Sequence, residues 1–171
     1  MSIIIFIIIN INMIPTDKIE EILKTIDTYK GKIEEIRVTY IDNINEKLGD
    51  LEEVLNSASS RSPVWIEMQV KKNTKSIQDT IDTMMKKIKE VVDDLQEWAN
   101  TAFDNVSASL IMSSMSKLGI ELSRDAALSM ADMIPIKLPS FDSLIPKIEL
   151  ELQIPDLSSL TSMGTISLPR L

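Results

Sequence analysis

The sequence predicts a mainly α-helical protein. Two long helices form an antiparallel hairpin or coiled coil, flanked by short helices and by extended, β-like arms at both ends. Aromatic residues make up only 4% of the 171 residues and only four glycines occur, which favours long helices over turn-rich sandwiches and barrels. Apolar residues recur every three or four positions through the central part of the chain. Five prolines lie within residues 135–171 and exclude a long helix there.

The first 15 residues contain an unbroken apolar run, IIIFIII, over residues 3–9. β-Branched and aromatic residues in a row favour a buried strand, so residues 1–15 are predicted to be an extended arm. The residues predicted to pair in this arm are Ile3, Ile5, Ile7 and Ile9. The run is shorter than the roughly 20 residues of a membrane-spanning helix, and a shallow membrane anchor is the alternative.

Residues 1–15 also lack the basic region and the small-residue cleavage site of a signal peptide. We therefore do not expect secretion through a cleaved signal peptide. Assembly in the cytoplasm or in a virion particle is the favoured location.

A long helical hairpin is predicted over residues 16–103. Its first helix begins near Asp17, with Glu20 three residues later as a capping-box partner, and ends near Asn56. Apolar residues alternate by threes and fours along it. The consecutive steps of four through Tyr40, Ile44 and Leu48 predict a stutter, which unwinds a left-handed supercoil locally.

A serine-rich connector over residues 57–63 separates this helix from a second one, predicted from about Pro63 to Phe103. The second helix carries an apolar seam at coiled-coil spacing that needs a partner helix to cover it. The seam residues are Ile77, Ile81, Met84, Ile88, Val91, Leu95 and Trp98. The sequence leaves open whether that partner belongs to the same chain or to another copy.

Residues 104–134 form a third segment, rich in serine, alanine and methionine. Gly119 is predicted to break it, and Ser123 is predicted to cap a further short helix. Small side chains and methionines allow close and irregular helix packing.

The final segment, residues 135–171, is predicted to be a proline-punctuated extended arm that lies across another subunit or partner. Within it, residues 147–154 alternate strictly between apolar and polar, which predicts a half-buried strand. The apolar residues predicted to pair are Ile148, Leu150, Leu152 and Ile154. Thr165 to Leu168 suggests another short extended piece.

No constellation of catalytic residues is apparent, and we expect no catalytic, cofactor-binding or metal site. The chain has neither histidine nor cysteine, which removes the usual general base and the commonest metal ligands. Ser114 and Lys117 match S-x-x-K, but the companion motifs of that enzyme class are missing. Acidic side chains cluster on the second helix, and we interpret them as a solvated face rather than a cation site. They are Glu90, Asp93, Asp94 and Glu97.

The formal net charge of −8 makes nucleic acid an unlikely direct partner, because an acidic surface repels phosphates. Six lysines nevertheless make the first half of the second helix basic. They are Lys71, Lys72, Lys75, Lys86, Lys87 and Lys89. We favour their pairing with the acidic first helix, and binding of anionic lipid or nucleic acid is the alternative.

A helical rod with adhesive ends resembles, in its general build, the assembly components of virions, phage tails and injection machines. The expected function is therefore that of a non-enzymatic structural protein that forms a helical homo-oligomer and binds other subunits through its arms. The alternative is a membrane-active helical protein, either a pore-former or a peripheral scaffold. It would use the N-terminal run and residues 108–133.

Overall fold

The computed structural model describes residues 16–132, 140–162 and 164–171. Helices account for 75% of these residues, and no β-strand occurs among them. The helices are α1 (Thr16–Asn56), α2 (Pro63–Lys117), α3 (Arg124–Asp132), a short 3₁₀ helix (Asp142–Leu144) and α4 (Leu157–Leu160). The mainly helical class and a long helix pair are thereby confirmed.

The chain divides into two compact units, each made from separate stretches of sequence. Unit 1 comprises Met1–Gly31 and Val91–Leu144, and unit 2 comprises Lys32–Glu90 and Ile145–Leu171. The predicted N-terminal arm, residues 1–15, lies outside the described residues.

Helix α2 begins where the serine-rich connector meets proline. Ser62 caps it, because its hydroxyl accepts a hydrogen bond from the Trp65 amide at 3.2 Å. Pro63 follows at the first helical position, where a missing N–H costs nothing. The predicted break and restart of the chain at residues 57–63 therefore occur, with residues 57–62 outside the helices.

Helix α2 ends at Lys117, fourteen residues beyond the predicted Phe103. No proline or glycine interrupts residues 104–117, so the change in composition there does not break the helix. The helix stops at Gly119, whose φ of 78° is sterically unfavourable for most residues that carry a Cβ. The Ile120 amide donates to the Met115 carbonyl at 2.9 Å and the Gly119 amide to the Ser116 carbonyl at 3.0 Å, which is a Schellman motif.

The core of unit 1 consists of small and flexible side chains. Ala108, Ile111 and Met115 of α2 pack with Ala127 of α3, and all four are 0–5% exposed. The half-buried residues around them are Leu110, Met112, Leu122, Leu128, Met130 and Ala131. The serine-, alanine- and methionine-rich segment thus forms a core within the chain.

Side-chain contacts also join other elements of unit 1. Tyr29 of α1 stacks on Trp98 of α2, with ring centroids 6.5 Å apart. The Phe141 amide donates to Gln96 Oε1 at 3.0 Å, which ties the 3₁₀ region to α2. Helix α3 is capped as predicted, since the Ala126 amide donates to the Ser123 hydroxyl at 3.2 Å.

In unit 2, α1 and α2 pack as antiparallel neighbours. Lys87 Nζ lies 5.4 Å from the centroid of the Tyr40 ring, and Lys47 Nζ donates to Ser76 Oγ at 2.5 Å. Residue numbers increase along α1 in the direction in which they decrease along α2, so the two helices are antiparallel here. The buried apolar residues of this pair are Ile33, Ile44, Leu48, Leu51 and Leu55 of α1 and Ile66, Ile77, Ile81, Met84 and Ile88 of α2.

The strand predicted over residues 147–154 does not form within the described chain. A strand requires a ladder of backbone hydrogen bonds, and these residues make none with the described residues. Their burial nevertheless alternates, with the even-numbered apolar residues half-buried and the odd-numbered polar residues exposed. The half-buried residues are Ile148, Leu150, Leu152 and Ile154.

Candidate functional site

Most of the predicted seam residues are buried in the single chain. Those at 0–8% exposure are Ile77, Ile81, Met84, Ile88 and Leu95. Val91 and Trp98 are only half-buried, and Val92 and Ala99 take the buried positions at 1% and 4% exposure. Two successive steps of four, from Met84 to Ile88 and from Ile88 to Val92, interrupt the alternation of three and four, which is a second stutter, and Leu95 fits both patterns. The sequence contains two adjacent valines at this point, and spacing alone does not choose between them.

A more distinctive site lies on α1, where one face of the helix holds an extended segment. We define the clamp face as Asn45, Gly49, Glu52 and Asn56, and the bound segment as residues 164–171. Both belong to unit 2. The four clamp residues are separated by four, three and four positions, so they share one side of the helix.

Asparagine side chains hold the backbone at both ends of this contact. The Ile166 amide donates to Asn56 Oδ1 at 2.8 Å, and Asn56 Nδ2 donates to the Ile166 carbonyl at 2.9 Å. The Leu171 amide donates to Asn45 Oδ1 at 2.9 Å, and Asn45 Nδ2 donates to the Leu171 carbonyl at 3.2 Å. A carboxamide carries one acceptor oxygen and an NH₂ donor, so each asparagine pairs with a residue as a neighbouring strand would.

Glu52 lies between the two asparagines and adds charge to the contact. Its Oε2 accepts hydrogen bonds from the Leu168 amide at 2.9 Å and from Arg170 Nη1 at 3.1 Å. The Leu168 amide, and after it the Arg170 guanidinium, lower the pKa of the Glu52 carboxyl from its ordinary value of 4.5. The carboxylate is therefore the form that binds the segment.

The distances between the clamp residues along the helix axis match the distances between their partners along the extended segment. From Glu52 to Asn56 the helix rises about 6 Å, and from Ile166 to Leu168 an extended chain advances about 6.6 Å. The whole clamp face covers about 16.5 Å of helix, and the five residue steps from Ile166 to Leu171 cover about the same length. Helix and segment therefore stay in register along the whole contact.

Side-chain burial in the bound segment alternates. Ile166 and Leu168 are 8% and 7% exposed, whereas Thr165, Ser167 and Pro169 are exposed. The apolar residues anchor the segment to the chain, and the residues between them face away from it. The site can thus hold an extended peptide that has apolar residues at alternate positions, largely through its backbone.

The sequence predicted one half of this site. The extended piece at Thr165 to Leu168 was expected, but its partner was not, because extended segments were matched only with other strands. A signal for the partner is present in the sequence, since polar residues at positions 45, 52 and 56 follow the helical repeat beside the apolar stripe.

Part of the basic surface predicted on α2 lies beside a lysine of α1. Lys72 and Lys75 line a groove of about 460 Å³ together with Lys47 of α1. Lys86 lies 4.0 Å from Glu90 of its own helix. Lysines of the two helices therefore lie side by side in unit 2.

The remaining predicted features are quickly placed. The four residues of the acidic cluster at positions 90–97 are exposed, and the described residues contain no group of three or more candidate metal ligands. The side chain of Ser114 and the pairing residues of the N-terminal arm lie outside the described part of the chain. Those pairing residues are Ile3, Ile5, Ile7 and Ile9. Among the described residues, no helix combines the length and apolar character needed to cross a bilayer.

Comparison with known proteins adds no assignment. No protein-family model, curated protein or solved structure matches the chain.

Proposed function

We propose that this protein is a non-enzymatic structural component that forms a helical homo-oligomer and binds other subunits through its extended arms. The observation that carries the proposal is the contact between the clamp face and the bound segment. Five of its six hydrogen bonds engage the backbone of an extended segment. Recognition of extended backbone is the mode by which terminal arms fasten protein subunits together.

In this proposal the α1–α2 pair is a coiled coil that carries the arms. Its apolar stripes follow steps of three and four with two stutters, as in coiled coils whose supercoil is locally unwound. Because most of the seam is buried within one chain, copies join through their arms, and α1 does not separate from α2. The residues of arm pairing are Ile3, Ile5, Ile7 and Ile9 at one end and Ile148, Leu150, Leu152 and Ile154 at the other.

The predicted architecture resembles that of assembly components. This favours a location in a virion, a phage tail or an injection apparatus. The strand-like arms form in this proposal when copies meet, since an isolated strand lacks the hydrogen bonds that would hold it.

The second candidate is a membrane-active helical protein. Leu118 and Ile120, in the middle of the serine-, alanine- and methionine-rich stretch, are 53% and 43% exposed. Exposed apolar side chains of this kind suit an interfacial contact with lipid. Flotation of the full chain with anionic liposomes tests this candidate. A membrane-active protein should rise with the vesicles, whereas a structural component should stay at the bottom of the gradient.

Light scattering after size exclusion tests the assembly proposal directly. The full chain should elute at a multiple of 19.2 kDa, and Leu168→Glu should lower that mass by expelling the bound segment. Ser167→Glu is the matched control, since Ser167 is exposed and its replacement should leave the mass unchanged. A mass of 19.2 kDa at every concentration would overturn the proposal.

A further inference from the structure

We propose that the clamp face is a binding site for an extended peptide, and that residues 164–171 of a second copy occupy it in the assembled protein. This inference rests on the proposed assembly function and names the surface through which the copies join. The ligand class is an extended segment with apolar residues at alternate positions, followed by an arginine that reaches Glu52.

The clamp face does not depend on the connection between the segment and its own chain. Asn45 and Asn56 engage only main-chain atoms of the segment, and Glu52 engages one amide and one guanidinium. The apolar anchors are two side chains, Ile166 and Leu168. A second copy offers the same backbone and the same two anchors, so it fits the site equally well.

The segment is joined to the rest of its chain by a stretch suited to redirecting it. Leu160 is 5% exposed and fixes the chain before the segment. Gly164 follows, is exposed, and has no heavy atom near the position that a Cβ would occupy. Glycine accepts a wide range of backbone angles, so a rotation there can turn the segment away from its own helix.

Residues 161–171 follow the buried Leu160 and can span about 36 Å when extended, which is the reach available for an exchange between copies. Pro169 limits the conformations of the free segment, which lowers the entropy lost on binding. The exchange replaces each hydrogen bond by an identical one in a neighbouring copy, as in domain swapping.

The first experiment tests whether the clamp face is a peptide site. In the full chain with Leu168→Glu, the chain's own segment should leave the face, because a carboxylate would replace an apolar side chain that is only 7% exposed. A fluorescein-labelled peptide of residues 160–171 should then bind this chain at least tenfold more tightly than it binds the Leu168→Glu, Asn56→Ala chain. Circular dichroism confirms that both variants keep their helices. Equal binding to the two variants would overturn the peptide site.

The second experiment tests whether the occupant comes from another copy. The chain has no native cysteine, so cysteines can be placed singly. A Cβ at Gly49 would lie 3.8 Å from Arg170 Nη2, in ordinary contact. Full chains carrying Gly49→Cys or Arg170→Cys are mixed and treated with a short bismaleimide, which replaces the span of the arginine side chain. A cross-linked heterodimer should form.

A mixture of Asn43→Cys and Arg170→Cys chains is the matched control and should give little heterodimer, because Asn43 is exposed and the helical repeat places it on a side of α1 away from the clamp face. If the protein is oligomeric but the Gly49→Cys mixture gives no more heterodimer than this control, segment exchange is wrong while the assembly function stands. If the protein is monomeric and cross-links only within the Gly49→Cys, Arg170→Cys double variant, both proposals fail.

Discussion

Replacement of Asn56 by alanine should loosen one end of the bound segment without unfolding the helices. The substitution removes two hydrogen bonds, at 2.8 and 2.9 Å, between the carboxamide and the backbone of Ile166. Each is worth about 1 kcal/mol net, so the segment should lose about 2 kcal/mol of local stability. Since 1.4 kcal/mol corresponds to a factor of ten, the Leu168 amide, which keeps its own bond to Glu52, should exchange with solvent about 30-fold faster.

Hydrogen exchange followed by nuclear magnetic resonance measures this directly, with the Ile88 amide as an internal reference in the core of α2. Asn43→Ala is the matched control, because Asn43 is an exposed asparagine on the same helix. If exchange at Leu168 is the same in the Asn56→Ala chain as in the wild type, Asn56 is not what holds the segment. An equal acceleration at Ile88 would show that the whole fold had weakened instead.

Three further predictions concern charge and packing. Because the pKa of Glu52 is lowered in the folded chain, its contribution is present above pH 4.5 and is lost as the pH falls below it. The Leu168 amide resonance should therefore titrate with a midpoint below 4.5 in the wild type and not in Glu52→Gln. Val92→Ala should cost about 1.5–3 kcal/mol of unfolding free energy and Val91→Ala less than half of that, as measured by urea denaturation. Thr74→Val should raise the melting temperature, since it removes a buried hydroxyl that has no hydrogen-bond partner among the described residues, a gain of about 1 kcal/mol. A lower melting temperature would mean that this hydroxyl is satisfied.

The elements that follow from local chemistry were predictable from the sequence. The start of α2 depends on a serine followed by proline, and its end depends on a glycine that can adopt a positive φ. Each of these signals lies within a few residues of the boundary that it sets. The end of α2 was misplaced because a change in composition at residue 104 was interpreted as a break, although no residue there opposes helix formation.

The clamp face could not be found in the same way, because its two halves are more than a hundred residues apart. Asn56 and Ile166 are 110 residues apart, and Asn45 and Leu171 are 126. Periodicity shows which side of a helix is apolar, but it does not show which polar side chains will meet a distant backbone. The choice between Val91 and Val92 was undetermined for a related reason. After a stutter, either valine continues the apolar pattern, and only the residues packed against the helix decide which one is buried.

The pairing of a helix side with an extended chain sets a limit on growth. A β-sheet exposes a fresh row of backbone donors and acceptors whenever a strand is added, so pairing through strands can continue without end. The main-chain groups along the clamp face are already bonded inside the helix, and the outward bonds of this face come from Asn45, Glu52 and Asn56. Docking at this surface is therefore complete after a single segment. If two copies exchange segments mutually, as proposed above, both clamp faces are filled and the pair has no open clamp face for a third copy.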